Sequence, residues 1–156
     1  MTDNQTGVPP RLFIPALGGV YEKLEPYCWT LIRMTAGLML VPHGWMKIFG
    51  GGGGVEGLAG YLGKLGLEPA YPLALYIALL ELVGGILLAL GLFTRPVAVL
   101  VVGFMMVSAF YVHLGNGFLW INRGFEYPLF WGLVCAAIVS RGGGPMSLDA
   151  KIGREF

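Results

Sequence analysis

The sequence predicts an all-α integral membrane protein: a four-helix bundle with a short amphipathic interfacial helix between the first and second spans. Of its 156 residues, 56% are hydrophobic and only 12% are charged, whereas an ordinary soluble domain carries roughly 25% charged residues. Several apolar stretches approach the roughly 20 residues with which a helix crosses the hydrocarbon. These stretches lack the period-two alternation of strands, and an open sheet cannot satisfy its backbone in lipid.

Four segments are predicted to span the bilayer as helices. They run from about Tyr27 to Phe49, from Tyr71 to Phe93, from Pro96 to Leu114 and, in the shortest case, from Phe125 to Ser140. A proline at the start of the third segment suits the first helical turn, where its missing N–H costs no hydrogen bond.

The connections between these segments differ in kind. Gly91 to Pro96 is a tight turn, which predicts that the second and third helices form an antiparallel hairpin. The first connection is longer and begins with five glycines, Gly50 to Gly54. It continues from Val55 to Leu67 with apolar residues at helical spacing, a pattern typical of an amphipathic helix on the membrane surface.

Basic residues predict the orientation, because cytoplasmic loops carry an excess of Lys and Arg. With both termini in the cytoplasm, the inner side holds six basic residues (Arg11, Lys23, Arg95, Arg141, Lys151 and Arg154) and the outer side holds three (Lys47, Lys64 and Arg123). We therefore expect a multi-pass protein of the inner (cytoplasmic) membrane. Residues 1–26 would form a polar cytoplasmic segment, 27–140 the transmembrane domain and 141–156 a cytoplasmic tail.

Charge and cysteine content exclude some classes of function. The net charge of +1 does not indicate the basic surface of a nucleic-acid-binding protein. Cys28 and Cys135 are far apart in the sequence and form no Cys-x-x-Cys motif, so we interpret them as ordinary residues of membrane helices.

Two charged residues, Arg33 and Glu81, lie well inside the predicted spans. Such groups are costly in a membrane and normally face the interior of the bundle. Arg33 shares a helical face with Gly37, and Glu81 shares one with Gly84; small residues allow helices to pack closely. One interpretation is a buried Arg33–Glu81 ion pair that fixes helix register. The other is that Glu81 titrates a proton or binds a ligand.

A second polar group is predicted near the outer surface and comprises His43, Lys47, His113, Arg123 and Glu126. At about 1.5 Å per residue, His43 and His113 lie at a similar depth in the outer leaflet. One interpretation is a ligand-binding site shared by the first, third and fourth helices. The alternative is that His43 and Lys47 reach the interface independently while Glu126 favours a helix N-terminus.

Several ligands are compatible with such a site. Its side chains could donate hydrogen bonds to the carbonyl of a quinone or to a lipid head group. The two histidines could instead be axial ligands of a haem, the less favoured interpretation, or join Glu126 around a metal. We assign no metal site.

A series of motifs resembles a known family. They are Arg33 with Gly37, Pro42-His43-Gly44 with Lys47 and a glycine run, Glu81-x-x-Gly84-Gly85, Leu90-Gly91-Leu92-Phe93-Thr94-Arg95, and Gly124-Phe125-Glu126-Tyr127-Pro128-Leu129. Over about residues 27 to 140 this combination resembles the DoxX family of small four-helix membrane proteins.

The resemblance implies an accessory or quinone-linked subunit of a membrane oxidoreductase or respiratory complex. Its partners would be membrane lipids and other subunits of such a complex. The family-like polar positions are Arg33, His43, Lys47, Glu81 and Glu126. The paired cysteines of thiol-handling membrane proteins have no counterpart in this sequence, which argues against direct thiol–disulfide chemistry.

Three functions are therefore considered. The first is a subunit of a redox complex, and a non-catalytic subunit is favoured over a catalytic one. The second is a small proton-coupled transporter that uses Glu81 and Arg33. The third is a purely structural membrane subunit. The sequence has no internal repeat of the kind found in many transporters, which weakens the second.

Overall fold

The computed structural model describes residues 12–156, so Arg11 and the rest of residues 1–11 lie outside the described residues. The described part is helical and contains no strand, which confirms the predicted all-α class. Its helices are α1 (Gly18–Phe49), α2 (Gly54–Lys64), α3 (Ala70–Leu90), α4 (Thr94–Val112), α5 (Glu126–Arg141) and α6 (Leu148–Ile152). Wider π-helical turns occur in α3 at Leu80–Gly84 and at the end of α4 at Ser108–Val112.

Two of these helices, α3 and α4, are long and apolar enough to cross a membrane, with 21 and 19 residues. Helix α1 is longer, at 32 residues, but Arg33, His43 and Lys47 lower its mean hydropathy. Helix α5 has 16 residues, fewer than the roughly 20 of a typical span.

Helix α1 begins at Gly18, earlier than the predicted Tyr27, and it contains Pro26 and Pro42. The sequence predicts a start near residue 27 because the apolar run begins there. Backbone hydrogen bonding does not require apolar side chains, however, so the helix extends through the polar residues before Pro26. Each proline removes one N–H donor from the helix.

Each of the long helices α1, α3, α4 and α5 packs against two of the others. Helix α1 packs mainly against α3, α4 packs mainly against α5, and α3 also contacts α4, while α1 and α5 touch at few places. Buried apolar side chains from α1, α3, α4 and α5 form the core, among them Leu40, Leu88, Val101 and Ile138. Helix α2 packs on α3.

Two glycines set the distance between α1 and α3. A Cβ atom on Gly37 would meet the backbone of Gly85 and Ala89, and one on Gly44 would meet the backbone of Leu82. The two helices therefore touch backbone to backbone, as small residues permit in membrane helix pairs. The contacts also fix an antiparallel register in which Gly37 lies opposite Gly85.

We expect Gly37→Ala to lower the free energy of unfolding by about 1–3 kcal/mol, because the added methyl group overpacks the α1–α3 contact. Gly103→Ala is the matched control: a Cβ atom there meets nothing within 4 Å, and alanine is the better helix former. Denaturation of both variants in detergent, followed by circular dichroism, measures the difference. Equal midpoints for the two variants would contradict close contact at Gly37.

The segment after α5 folds back onto the turn between α3 and α4. Gly91 ends α3 in the left-handed conformation, at φ 71°, and Phe93 is also left-handed, at φ 51°, which is uncommon for a residue with a side chain. The Asp149 carboxylate accepts hydrogen bonds from the Phe93 and Thr94 N–H groups, both at 2.9 Å, and from the Thr94 hydroxyl at 2.7 Å. Asp149 thus satisfies N–H groups at the start of α4 that have no partner within the helix.

Candidate functional site

A cavity of about 710 Å³ lies between α1, α4 and α5, where α1 and α5 have few contacts with each other. We call it the interhelical cavity. Its volume falls within the roughly 300–1,000 Å³ of small-molecule sites. The wall is largely apolar and includes Met39, Leu40, Val101, Phe104, Met105 and Trp131.

Polar side chains from separate helices meet at this cavity. His43 and Lys47 come from α1, and their spacing of four residues puts them on one helical face. Glu81 comes from α3 and His113 follows α4; all four line the cavity. The structure therefore brings together three of the five predicted binding residues, His43, Lys47 and His113, and adds Glu81. That they bind a ligand stays a prediction.

The other two predicted binding residues, Arg123 and Glu126, are not among the residues that line the interhelical cavity. They organise the loop between α4 and α5. The Glu126 carboxylate accepts a hydrogen bond from the Trp120 N–H at 3.0 Å. The backbone carbonyl of Arg123 lies 2.7 Å from His113 Nδ1. Because a carbonyl can only accept, Nδ1 donates in this contact and Nε2 is the nitrogen left for a ligand.

Glu81 pairs with Lys47, not with Arg33 as predicted. Lys47 Nζ lies 2.5 Å from Glu81 Oε2, with the side chains 25% and 5% exposed. The antiparallel register of α1 and α3 is the reason. Glu81 lies opposite Gly44 and beside Lys47, in the C-terminal part of α1, whereas Arg33 lies near the middle of that helix. The geometry of a single helix, about 100° and 1.5 Å per residue, does not define how two helices are aligned with each other. The π-helical turn that contains Glu81 also changes the direction of its side chain from that of a regular α-helix.

Arg33 instead donates to backbone carbonyls at the C-terminal end of α3 and just after α5. Its Nε donates to Gly143 at 2.9 Å, and Nη1 donates to Leu88 at 2.8 Å and to Ala89 at 2.5 Å. Leu88 and Ala89 belong to the last turn of α3, where carbonyls lack partners within the helix. A cation there also interacts favourably with the helix dipole. Arg33 thus joins α1, α3 and the C-terminal segment.

Sequence reasoning missed several residues of the cavity. Ser108, Trp120, Tyr127 and Trp131 also line it. Tyr127 carries a usable signal, since it directly follows Glu126 in the motif from Gly124 to Leu129. Ser108 is a polar residue inside an apolar span, which is a similar signal. Within residues 12–156, no three His, Cys, Asp or Glu side chains lie close enough together to hold a metal ion.

Two helices long and apolar enough to cross a membrane, with a largely apolar cavity between helices, point to the class of helical membrane proteins. The chain belongs to the DoxX family: the family model matches residues 28–114, which confirms the resemblance seen in the motifs.

The chain is similar in sequence to three bacterial proteins. An uncharacterised protein of Haemophilus influenzae is 33% identical over 137 residues, covering 86% of this chain and 97% of that protein. The Bacillus subtilis protein named "Putative oxidoreductase CatD" is 35% identical over 99 residues, covering 64% and 69%. The Escherichia coli "Inner membrane protein YqjF" is 33% identical over 92 residues, covering 59% and 66%. No solved structure matches the chain.

Proposed function

We propose that this protein is a non-catalytic subunit of a membrane redox complex and that it binds a quinone or a lipid in the interhelical cavity. The observation that carries the proposal is that His43, Lys47, Glu81 and His113 line one largely apolar cavity. A relative that bears the name of an oxidoreductase supports a redox setting.

The proposal includes a topology. Helices α1, α3, α4 and α5 form a bundle that spans the inner membrane, α2 lies on its surface and both termini are cytoplasmic. Large apolar side chains on the outer faces of three of these helices support it: Leu31 is 68% exposed, Val99 52% and Leu133 60%. Soluble monomers rarely expose large apolar patches, whereas lipid would cover these faces.

A quinone fits the residues that are present. Its ring would lie against aromatic side chains such as Phe104 and Trp131, and its apolar tail would follow the wall of the cavity. Lys47 and His43 would hold its carbonyl oxygens by hydrogen bonds. A bound quinone carries electrons and protons between redox proteins; the residues of this chain would bind and orient it.

The direct test is purification from native membranes in a mild detergent. We expect quinone in the organic extract and oxidoreductase subunits in the same chromatographic peak. A Soret band in the absorption spectrum would instead identify a haem. A protein that elutes alone, with neither quinone nor partner subunits, would contradict the proposal.

We expect His113→Ala to weaken the binding of decylubiquinol about 3- to 10-fold. With Nδ1 donating to the Arg123 carbonyl, Nε2 can accept from a quinol hydroxyl, and the variant would lose that one hydrogen bond of roughly 0.5–1.5 kcal/mol. Quenching of the fluorescence of Trp120 and Trp131, which line the cavity, measures the affinity. Asn116→Ala is the matched control, since Asn116 Nδ2 also donates to the Arg123 carbonyl, at 3.2 Å, but does not line the cavity. Equal losses of affinity in both variants would mean that His113 affects binding only by holding the loop between α4 and α5.

A further inference from the structure

We propose that the Lys47–Glu81 ion pair makes the interhelical cavity selective for uncharged amphiphiles and excludes anionic lipids such as fatty acids. The inference rests on the proposed function in that it concerns the same cavity. It names the chemical class of the ligand: a neutral head group with carbonyl or hydroxyl oxygens on an apolar tail.

The formal charges at the cavity cancel. Among the described residues that line it, Lys47 and Glu81 carry the only formal charges when the two histidines are counted as neutral. Their charged atoms are 2.5 Å apart, so each neutralises the other at short range. The charged side chains of Arg123 and Glu126, predicted to join the site, do not line the cavity.

An anionic ligand would gain little from this arrangement. Its carboxylate would have to give up water in a largely apolar cavity, which is costly for a charge without its own partner. Among the described residues that line the cavity, the one formal cation is Lys47. It is already held by Glu81, whose carboxylate would repel a second carboxylate beside it. Two like charges placed side by side repel each other, which disfavours an anionic ligand at this position.

An uncharged ligand finds hydrogen-bonding groups at the same place. Within residues 12–156, Glu81 Oε2 has a partner but Oε1 has none, so Oε1 can accept from a ligand hydroxyl. Lys47 has three N–H donors, of which one is directed at Glu81, so it can donate to a ligand carbonyl without leaving the pair. A quinone or quinol head group offers such oxygens and carries no charge.

A comparison of two ligands tests the selectivity without any substitution. Oleate and methyl oleate share one tail and differ in the charge of the head group. We expect the wild-type protein, in phosphatidylcholine nanodiscs at pH 8, to bind methyl oleate at least about tenfold more tightly than oleate, as read by tryptophan fluorescence. Equal affinities would overturn the proposal.

Substitution of Glu81 tests whether the ion pair causes the selectivity. Glu81→Gln keeps the shape of the side chain and leaves Lys47 as an unpaired cation, so the affinity for oleate should rise about tenfold. Lys47→Met/Glu81→Gln removes both charges and should lose that gain. A folded Glu81→Gln variant that binds oleate no better than the wild type would overturn the proposal. If the variant does not fold, judged by gel filtration, the comparison of the two ligands on the wild type decides.

The outcomes separate this inference from the proposed function. Binding of methyl oleate but not of decylubiquinone or oleate would contradict the quinone role and support the charge selectivity. Equal binding of decylubiquinone and oleate would contradict the selectivity and leave the quinone role standing.

Discussion

Replacing Arg33 by alanine is expected to lower the free energy of unfolding by about 3–5 kcal/mol. Arg33 is 1% exposed and donates to the carbonyls of Leu88, Ala89 and Gly143. The Leu88 carbonyl keeps a hydrogen bond from the Gly91 N–H at 3.2 Å, but the Ala89 and Gly143 carbonyls would lose their donor. A buried acceptor without a partner costs about 1–3 kcal/mol, and the truncated side chain also leaves a cavity. Chemical unfolding in detergent, followed by circular dichroism, measures the loss.

Two further variants show whether the loss comes from the hydrogen bonds of Arg33. Arg33→Lys keeps the charge but lacks the planar fork of donors, so it should fall between wild type and alanine. Arg141→Ala removes the same type of side chain at the end of α5, close in sequence to Gly143. Arg141 is exposed and lies 4.9 Å from the ring of Trp29, a contact worth about 0.5–1 kcal/mol at an exposed site. If Arg33→Ala unfolds at the midpoint of Arg141→Ala, the buried hydrogen bonds of Arg33 contribute nothing measurable.

The sequence predicted most helices well because their ends coincide with changes in residue type. Helix α3 was expected from Tyr71 to Phe93 and runs over Ala70–Leu90, ended by Gly91. Helix α2 was expected from Val55 to Leu67 and runs over Gly54–Lys64. The start of α1 was missed because charged residues and Pro26 precede the apolar run and give no signal of helix.

That His43 and His113 reach a common cavity could be predicted, but the register between helices could not. His43 and His113 reach one cavity, as the rise per residue suggested. The partner of Glu81 depends on how α1 slides along α3, and the close contacts of Gly37 and Gly44 decide this. A glycine pattern indicates that helices touch, but it does not specify which residues lie opposite one another.

The folded C-terminal segment had no apolar pattern to reveal it. Ser147 and Asp149 are 1% and 5% exposed, yet both are polar residues in or beside a glycine-rich stretch. They are buried because they satisfy hydrogen bonds: the Asp149 carboxylate caps α4, and the Ser147 hydroxyl accepts from the Ala150 N–H at 3.1 Å. Periodicity detects burial driven by the hydrophobic effect, and this burial has another cause.

The second large effect is expected at the Lys47–Glu81 pair. Glu81→Leu leaves Lys47 without its partner beside an apolar wall and should lower the free energy of unfolding by roughly 3 kcal/mol, because breaking one side of a buried pair leaves an uncompensated charge. Lys47→Met/Glu81→Leu removes both charges and should recover most of that loss, since apolar residues often replace a buried pair at little cost. Chemical unfolding of the two single variants and the double variant in the same detergent gives the coupling energy.

A half-exposed ion pair of the same chain is the control for this cycle. Arg95 Nη2 lies 3.6 Å from Glu155 Oε2, with side chains 38% and 35% exposed, and such pairs contribute about 0–1 kcal/mol. Arg95→Gln should therefore change stability far less than Glu81→Leu. If the double variant at positions 47 and 81 stays as unstable as Glu81→Leu, the loss comes from the poor fit of leucine in the π-helical turn. The charge of Lys47 would then be satisfied without Glu81.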